Sequence, residues 1–510
     1  MSWKGLAEIA PRLSEAEVRF EKRKRSIGLW LGPVLFAVSV LAPPLQDVTQ
    51  AGMRTLGIFL WTVTWWICEP IPIPATSLFS MAMFVLCGVL SVEAAFGSWS
   101  NWIILFLLGA CIIGHAMSLH GLSRRMAYFL ISSRLVGGNP WRVILLFGLG
   151  SALMSSVLSH VVTTMMFLSI AVGLAESLRF QQGSRYAEAL FLAIAWGSNL
   201  GVATPVGAPT NLIAIALAGS MGYRVGFLQW VVACLPVFII SLLLMFFVLR
   251  YVVRPEMPDW RDSHSFLREQ LLKLGPLGRG EKIAAAVFLT AFFFWVLPDL
   301  LPLLLTGGRQ HPASIWVTRH LDWSVTAIVM ATSLFLIPVD WESRRFAMTW
   351  EEAVRGIEWG TLSLIAGALS MGNAIAHRTL GLGQFLEQGV SSFVASSSEF
   401  LFVLGVVAFT VIIGSFTSNI ATIGMVGALV QAVAPSAGVN PAALLVAVAL
   451  AANMDFALPI GTPPSAMVFA SGYVRIGTMV RGGSILALVS IPVVALAGFY
   501  MASWILSVQP

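Results

Sequence analysis

Apolar runs long enough to cross a bilayer recur along the whole chain, and no other feature constrains its fold as strongly. A helix needs about 20 residues to span a hydrocarbon core of roughly 30 Å. Runs near that length begin at Ile27, Met53, Ile73, Ile103, Gly226, Ile283, Ser324, Thr361 and Ser484. Only 11% of the 510 residues are charged while 57% are hydrophobic, too little polar surface for a soluble globule. The sequence therefore predicts an all-α polytopic membrane protein embedded in a lipid bilayer. No short leading run with a small-residue cleavage site precedes the first span, so no removable signal peptide is expected. The net charge of +6 is spread over short inter-helix loops, which suits membrane orientation and argues against a nucleic-acid partner. Cys68, Cys87, Cys111 and Cys234 lie in or beside apolar runs without CxxC spacing. They read as small apolar fillers, with neither a disulfide framework nor a zinc site indicated.

The amphipathic start, residues 1–26, ends in the basic cluster "EKRKRS" directly before the first span. The positive-inside rule then puts the N-terminus in the cytoplasm, in a cell (inner) membrane. The largest charged connection, Arg250 to Lys282, belongs on the same side and supplies a cytoplasmic linker at 251–280. Both conditions are met by eleven crossings, at about 27–42, 53–68, 73–90, 99–120, 187–222, 226–250, 281–304, 321–337, 359–377, 441–473 and 483–505. Two apolar segments are left over, 140–177 and 399–434, each too long for one crossing and split in the middle by Ser, Thr and Gly. They read as re-entrant helical hairpins. Irregular backbone at membrane depth is tolerated only where protein buries it or water reaches it, so the two tips should face a cavity.

The two hairpins are copies of one unit. Gly109, Ala110, Gly114 and Ala116 stand 258 residues before Gly367, Ala368, Gly372 and Ala374, and Ser156, Ser159 and Thr163 stand 259 before Ser415, Ser418 and Thr422. Asn199, Pro205, Gly207 and Pro209 stand 254 before Asn453, Pro459, Gly461 and Pro463. Three collinear matches at nearly constant offset mark a duplication, with a first repeat at 91–250 and a second at 338–505. Five crossings separate corresponding spans, and an odd number inverts the copy. Inverted repeats with interrupted helices mark secondary transporters whose site lies at the repeat interface.

Half-helix N-termini offer backbone N–H groups to an anion, and the opposite carbonyl ends can hold a cation. Four such interruptions, 155–164, 204–211, 414–423 and 459–465, should converge when the repeats face one another. An intramembrane enzyme would need a metal-ligand cluster such as HExxH or a GxSxG turn, and neither is present, so no enzyme is expected. An anion channel is the other alternative, disfavoured by the hairpins.

The motifs at these interruptions resemble those of the divalent-anion/sodium symporters, which carry dicarboxylates, citrate or sulfate. "WWICEPIPIPAT" (65–76) is similar to that family's early Trp, Glu, Pro and Thr pattern. "SNIAT" (418–422) resembles its S-N-T-A-T hairpin signature, and "VGAPTN" (206–211) and "IGTPPS" (460–465) resemble its G-T-P-P-N breaks. The resemblance covers the chain from about Trp65 onward and implies a homodimeric elevator-type transporter. Helices in 27–90 and 281–337 would then form a fixed scaffold, and the repeats would supply the moving transport domain. It implies one Na⁺ site at Ser155, Ser159, His160 and Gly207, and a second at Gly414, Ser418, Asn419 and Gly461. The divalent anion would meet Ser159, His160, Thr163, Ala208, Pro209, Ser418, Asn419, Thr422, Thr462 and Pro463. Na⁺ is the expected coupling ion, at one or two sites, and no other cofactor is implied.

Departures from the family pattern reshape these expectations. His160 and Val161 stand where the family has Asn and Thr, Ile420 replaces a Thr, and Ala208 replaces Ser or Thr. Fewer donors disfavour a citrate-like substrate. Asp455 replaces a small apolar residue, and a carboxylate at membrane depth costs roughly 2.5–3.5 kcal/mol on insertion scales. His160 and Asp455 could together exchange part of the sodium coupling for proton coupling or for sodium-independent exchange. The plainer readings are a neutral histidine bonded to a carbonyl and an aspartate that braces the break. His115, His120, His377 and Glu69 read as structural, and Trp61, Trp65, Trp66, Trp99 and Trp102 as interfacial anchors or core.

Overall fold

The computed structural model describes residues 15–132, 139–177, 180, 182–256, 269, 271–395, 398–434, 437–459 and 461–507. Within them the chain is almost entirely helical; a two-residue and a three-residue strand form the one small hairpin described. Seven helical stretches combine spanning length with apolar character, from Val18–Leu41 to Ile476–Ser507. Shorter apolar helices of 10–17 residues fill the intervals.

The first helix, α1 (Glu15–Leu41), runs unbroken through the expected boundary at residue 26, because nothing in "EAEVRFEKRKRS" stops a helix and Glu21 pairs with Lys24 at 2.8 Å. It packs on α2 (Gln50–Cys68), whose Trp65 indole donates to the Gly28 carbonyl at 3.0 Å. α2 ends at Glu69, which turns into the left-handed region (φ 50°) while its amide donates to Trp65 O. α3 (Ile73–Leu86) and the short α4 (Val92–Phe96) lead into α5 (Trp102–Leu119). The amphipathic α6 (Leu122–Ile131) follows.

The segment 140–177 forms α7 (Pro140–Ser155) and α8 (His160–Ser177), joined by a four-residue tip. The next span is interrupted, giving α9 (Arg185–Asn199) and α10 (Pro209–Ser220). α11 (Phe227–Val248), α12 (Arg279–Leu304), α13 (Pro312–His320) and α14 (Trp323–Ser333) follow. The span expected to reach residue 337 stops at Ser333; β1 (Pro338–Asp340) and β2 (Arg345–Phe346) then pair around a charged turn. After α15 (Trp350–Gly356), the sequence of elements repeats. α16 (Trp359–Ala376) corresponds to α5, and α17 (Leu382–Ala395) to α6. α18 (Glu399–Gly414) and α19 (Asn419–Val433) form the second hairpin, and α20 (Pro441–Ala452) and α21 (Pro463–Ala470) the second interrupted span. α22 (Ile476–Val493) and α23 (Tyr500–Ser507) close the chain.

Small residues set the helix contacts, as expected where no hydrophobic force separates helix from lipid. A Cβ at Gly109 of α5 would come within 2.6 Å of the Ala327 backbone in α14, and one at Gly367 of α16 within 2.7 Å of Ser77 Cβ in α3. The duplicated glycines thus seat corresponding helices against the other half of the molecule. α7 lies equally close to α9: a Cβ at Gly197 would sit 2.5 Å from Gly148 O, and Ser151 Oγ bonds Ile194 O (2.9 Å) and Ser198 Oγ (2.6 Å).

Gly197→Ala should therefore drive α7 from α9 and cost about 1–3 kcal/mol as an overpacked contact. Gly114→Ala, where a Cβ meets nothing within 4 Å, should be neutral or stabilising by up to about 1 kcal/mol from helix propensity. Thermal unfolding of the two purified variants in detergent checks the contrast.

Candidate functional site

The four interruptions meet in one hydrogen-bonded chain. At the first tip, Ser155, at the end of α7, donates to Ser198 O (2.7 Å), and Ser156 O accepts from Thr204 of the first break. Thr164 of α8 donates to Ser198 Oγ (2.8 Å). The first break joins the second through Asn199, whose Nδ2 donates to Asp455 O (2.8 Å) and Thr462 Oγ1 (3.0 Å). Asn453, its repeat partner, returns the contact by donating to Thr210 Oγ1. The second break joins the second tip through the same residue, since Asn453 Oδ1 accepts from Asn419 Nδ2 at 3.1 Å.

Two indoles complete the arrangement. Trp230 of α11 donates to Val202 O (3.1 Å), and Trp196 of α9 donates to Phe456 O (3.0 Å). Val202 and Phe456 are equivalent, buried positions in the two breaks, and each of these two carbonyls has an indole partner. Buried carbonyls left unpaired would cost about 1–3 kcal/mol each.

Both tips present helix N-termini. Ser159 O accepts from Thr163 N and Ser418 O from Thr422 N, so the first amides of α8 and α19 precede the intrahelical ladder and, apart from Ile420 N, can donate outward. Ser418 is the half-buried N-cap of α19. Asn419 is buried, its Oδ1 taking the Ile420 amide at 2.9 Å. Thr422 pairs with Thr417 Oγ1 at 2.7 Å. Thr163, its counterpart, faces a repeat in which Leu158 replaces that threonine, and its buried hydroxyl has no partner among the described residues.

The sequence-derived residues fall into three groups. Ser155, Gly207, Asn419, Thr462 and Pro463 belong to the chain of breaks. Gly207 is so enclosed that a Cβ would lie 2.0 Å from Gly201 O and 3.0 Å from Ser155 O. Thr462 caps α21, its Oγ1 bonding Ser465 Oγ at 3.0 Å, while Ala208 occupies the equivalent cap of α10 without a side-chain bond. Pro209 opens α10. Gly414 closes α18 near Ala452 O, and Gly461 abuts Asp455. Ser159 instead turns toward Glu358, donating to its Oε1 at 3.0 Å. His160 begins α8, is 7% exposed, and its ring makes no hydrogen bond among the described residues, so the carbonyl-bonded reading does not hold. Asp455 faces the Ala457 amide within its own break, and neither carboxylate oxygen completes a hydrogen bond among the described residues.

Glu358, Asn199, Asn453 and Thr210 were not singled out as site residues by sequence. Glu358 had a signal, an acidic residue immediately before an apolar span, where it caps the approach to α16 and also accepts from Thr361 (3.1 Å). Two histidines outside the site have local roles: His120 contacts Ala347 O at 2.7 Å and His377 bonds Thr379 at 2.9 Å.

A model of the sodium:sulfate symporter transmembrane region matches residues 24–508. The chain belongs to the sodium:sulfate symporter family. Within this family, the sodium-dependent dicarboxylate transporter SdcS of Staphylococcus saprophyticus is 29% identical over 496 residues, covering 95% of this chain and 92% of that protein. SdcS of Staphylococcus aureus is 29% identical over 499 residues with the same coverage. The solved structure of Neisseria gonorrhoeae MtrF, from a class of antimetabolite efflux pumps, matches with a TM-score of 0.55 over 92% of this chain and 94% of its own. At 11% identity that likeness concerns the fold alone. A sodium:sulfate symporter family member is a multi-pass membrane carrier rather than an enzyme.

Asn453→Ala removes the donor to Thr210 and the acceptor for Asn419 at once. With about 1–3 kcal/mol for each orphaned buried group, it should lower the melting temperature and abolish transport, whereas Thr379→Ala, outside the site, should do neither. Thermal unfolding with uptake in proteoliposomes checks both.

Proposed function

We propose that this carrier moves a small divalent anion, a C4-dicarboxylate or sulfate, by symport with Na⁺. One observation carries the reading: both hairpin tips, with their outward-facing helix N-termini, are tied through both breaks into one hydrogen-bonded unit with no Lys or Arg in it. Backbone donors can replace the hydration of an anion without holding it as tightly as a fixed cation would. The names of the SdcS relatives favour a dicarboxylate, and the family description favours sulfate.

The anion would meet the tips at Ser159, His160, Thr163, Ser418, Asn419 and Thr422, with Ala208, Pro209, Thr462 and Pro463 behind them. Sodium would occupy a first site at Ser155, Ser159, His160 and Gly207 and a second at Gly414, Ser418, Asn419 and Gly461. Fewer hydroxyls at Val161, Ala208 and Ile420 favour a short dianion over a citrate-like one. The protein would work as a homodimer in the inner membrane, N-terminus cytoplasmic, each protomer carrying its hairpins across by an elevator movement. Ser159 would exchange its bond to Glu358 for substrate and ion when the site fills.

At zero membrane potential a tenfold inward Na⁺ gradient supplies about 1.4 kcal/mol per coupled ion, enough for about tenfold accumulation. Proteoliposomes should therefore concentrate labelled succinate or sulfate under a Na⁺ gradient and show saturable counterflow. Uptake indifferent to Na⁺ would overturn the symport reading, and non-saturable flux would point to a channel.

A further inference from the structure

We propose that Asp455 is an anionic ligand for the coupling cation at the second break, supplying from the break itself a charge that its counterpart Gly201 cannot supply at the first. The inference rests on the symport reading and concerns how its second cation site is built.

Asp455 is 1% exposed; the Ala457 amide faces its carboxylate, but no donor among the described residues meets either oxygen in full hydrogen-bond geometry. The half-helix beside it offers little help. α21 opens with Pro463 and Pro464, which have no N–H, and the next amide, Ser465, turns to Thr462 Oγ1 at 3.4 Å. The carboxylate is pressed against Gly461, where any Cβ would lie 1.4 Å from Oδ2, so position 461 must be glycine for Asp455 to occupy its place. A buried carboxylate with so little donor support stays charged only beside a cation.

Comparison of the repeats shows what the carboxylate replaces. In the first repeat the oxygen comes from the tip: Ser155 Oγ fills the space beside the break, and a Cβ at Gly201 would lie 2.3 Å from it. In the second repeat the equivalent of Ser155 is Gly414 and the equivalent of Gly201 is Asp455. The small residue and the oxygen-bearing residue have changed places, so the side-chain oxygen now comes from the break and carries a charge. The space vacated at the tip is real, since a Cβ at Gly414 would have its nearest neighbour, Ala452 O, at 3.8 Å. Ala452 also ends α20, whose carbonyl end favours a cation. No group of three or more His, Cys, Asp or Glu residues gathers among the described residues. One carboxylate with backbone oxygens suits a hard monovalent ion such as Na⁺ rather than a transition metal.

The test uses purified full-length protein, measuring thermal stabilisation against NaCl at constant ionic strength, alongside Na⁺-dependent uptake in proteoliposomes. Asp455→Asn and Asp455→Gly should each raise the half-saturating Na⁺ concentration about tenfold or more. The double variant Gly414→Ser/Asp455→Gly, which rebuilds the first repeat's arrangement, should recover part of the loss relative to Asp455→Gly. Asp455→Gly decides the matter should Asp455→Asn fail to fold. A wild-type Na⁺ response in either Asp455→Asn or Asp455→Gly, with coupled transport intact in the parent protein, overturns the role of Asp455 alone. Absence of any Na⁺ response in the parent overturns the symport reading and this inference together.

Discussion

The whole arrangement depends on satisfying peptide groups where helices are broken inside the bilayer. Lipid offers no hydrogen bonds, so an interrupted span survives only when protein supplies partners for the freed carbonyls and amides. Here several of the partners cross between the repeats. Asn199 reaches across to Asp455 O and Thr462, Asn453 reaches back to Thr210, and Trp196 serves Phe456 O in the other copy. The second break thus takes backbone donors from the first repeat, while Val202 O and Thr204 O of the first break are served within their own repeat by Trp230 and Asn211.

The need for these partners also explains the contact residues around the site. Helices carrying the breaks must approach closely enough for short side chains to bridge them, which requires Gly148, Gly197 and Ser151 between α7 and α9. Close approach in turn leaves little room for bulky donors, so recognition falls to helix ends and small hydroxyls. The charged groups left near the tips are few, and they are not equivalent. Glu358 is paired with Ser159 and Thr361, while Asp455 has no donor in full hydrogen-bond geometry among the described residues. A carrier needs its site to release what it binds, and partners that can exchange allow this more readily than a fixed ion pair.

Most of the element order was legible because it rests on local properties. Apolar length marked the spans, and the Ser/Thr/Gly clusters at 155–164 and 414–423 marked the tips because Ser, Thr and Gly are poor at continuing a helix. The amphipathic helices α6 and α17 escaped notice because they are too short and too polar to register as spans. Glu358 was overlooked for a different reason: its importance comes from Ser159, 199 residues earlier in the chain, and no local pattern encodes that distance.

By itself the sequence determined a helical membrane protein with a duplicated unit, two interrupted hairpins and two broken spans, since hydropathy, periodicity and internal similarity are properties of the chain read in order. The tertiary structure alone decided that Asn199 and Asn453 exchange partners between repeats, that Trp196 and Trp230 serve the break carbonyls, and that the Asp455 carboxylate is buried against Gly461. Those outcomes depend on which distant groups come within about 3 Å, the range over which a hydrogen bond forms. Residue type states only what each group can accept or donate; the fold determines whether a partner is there.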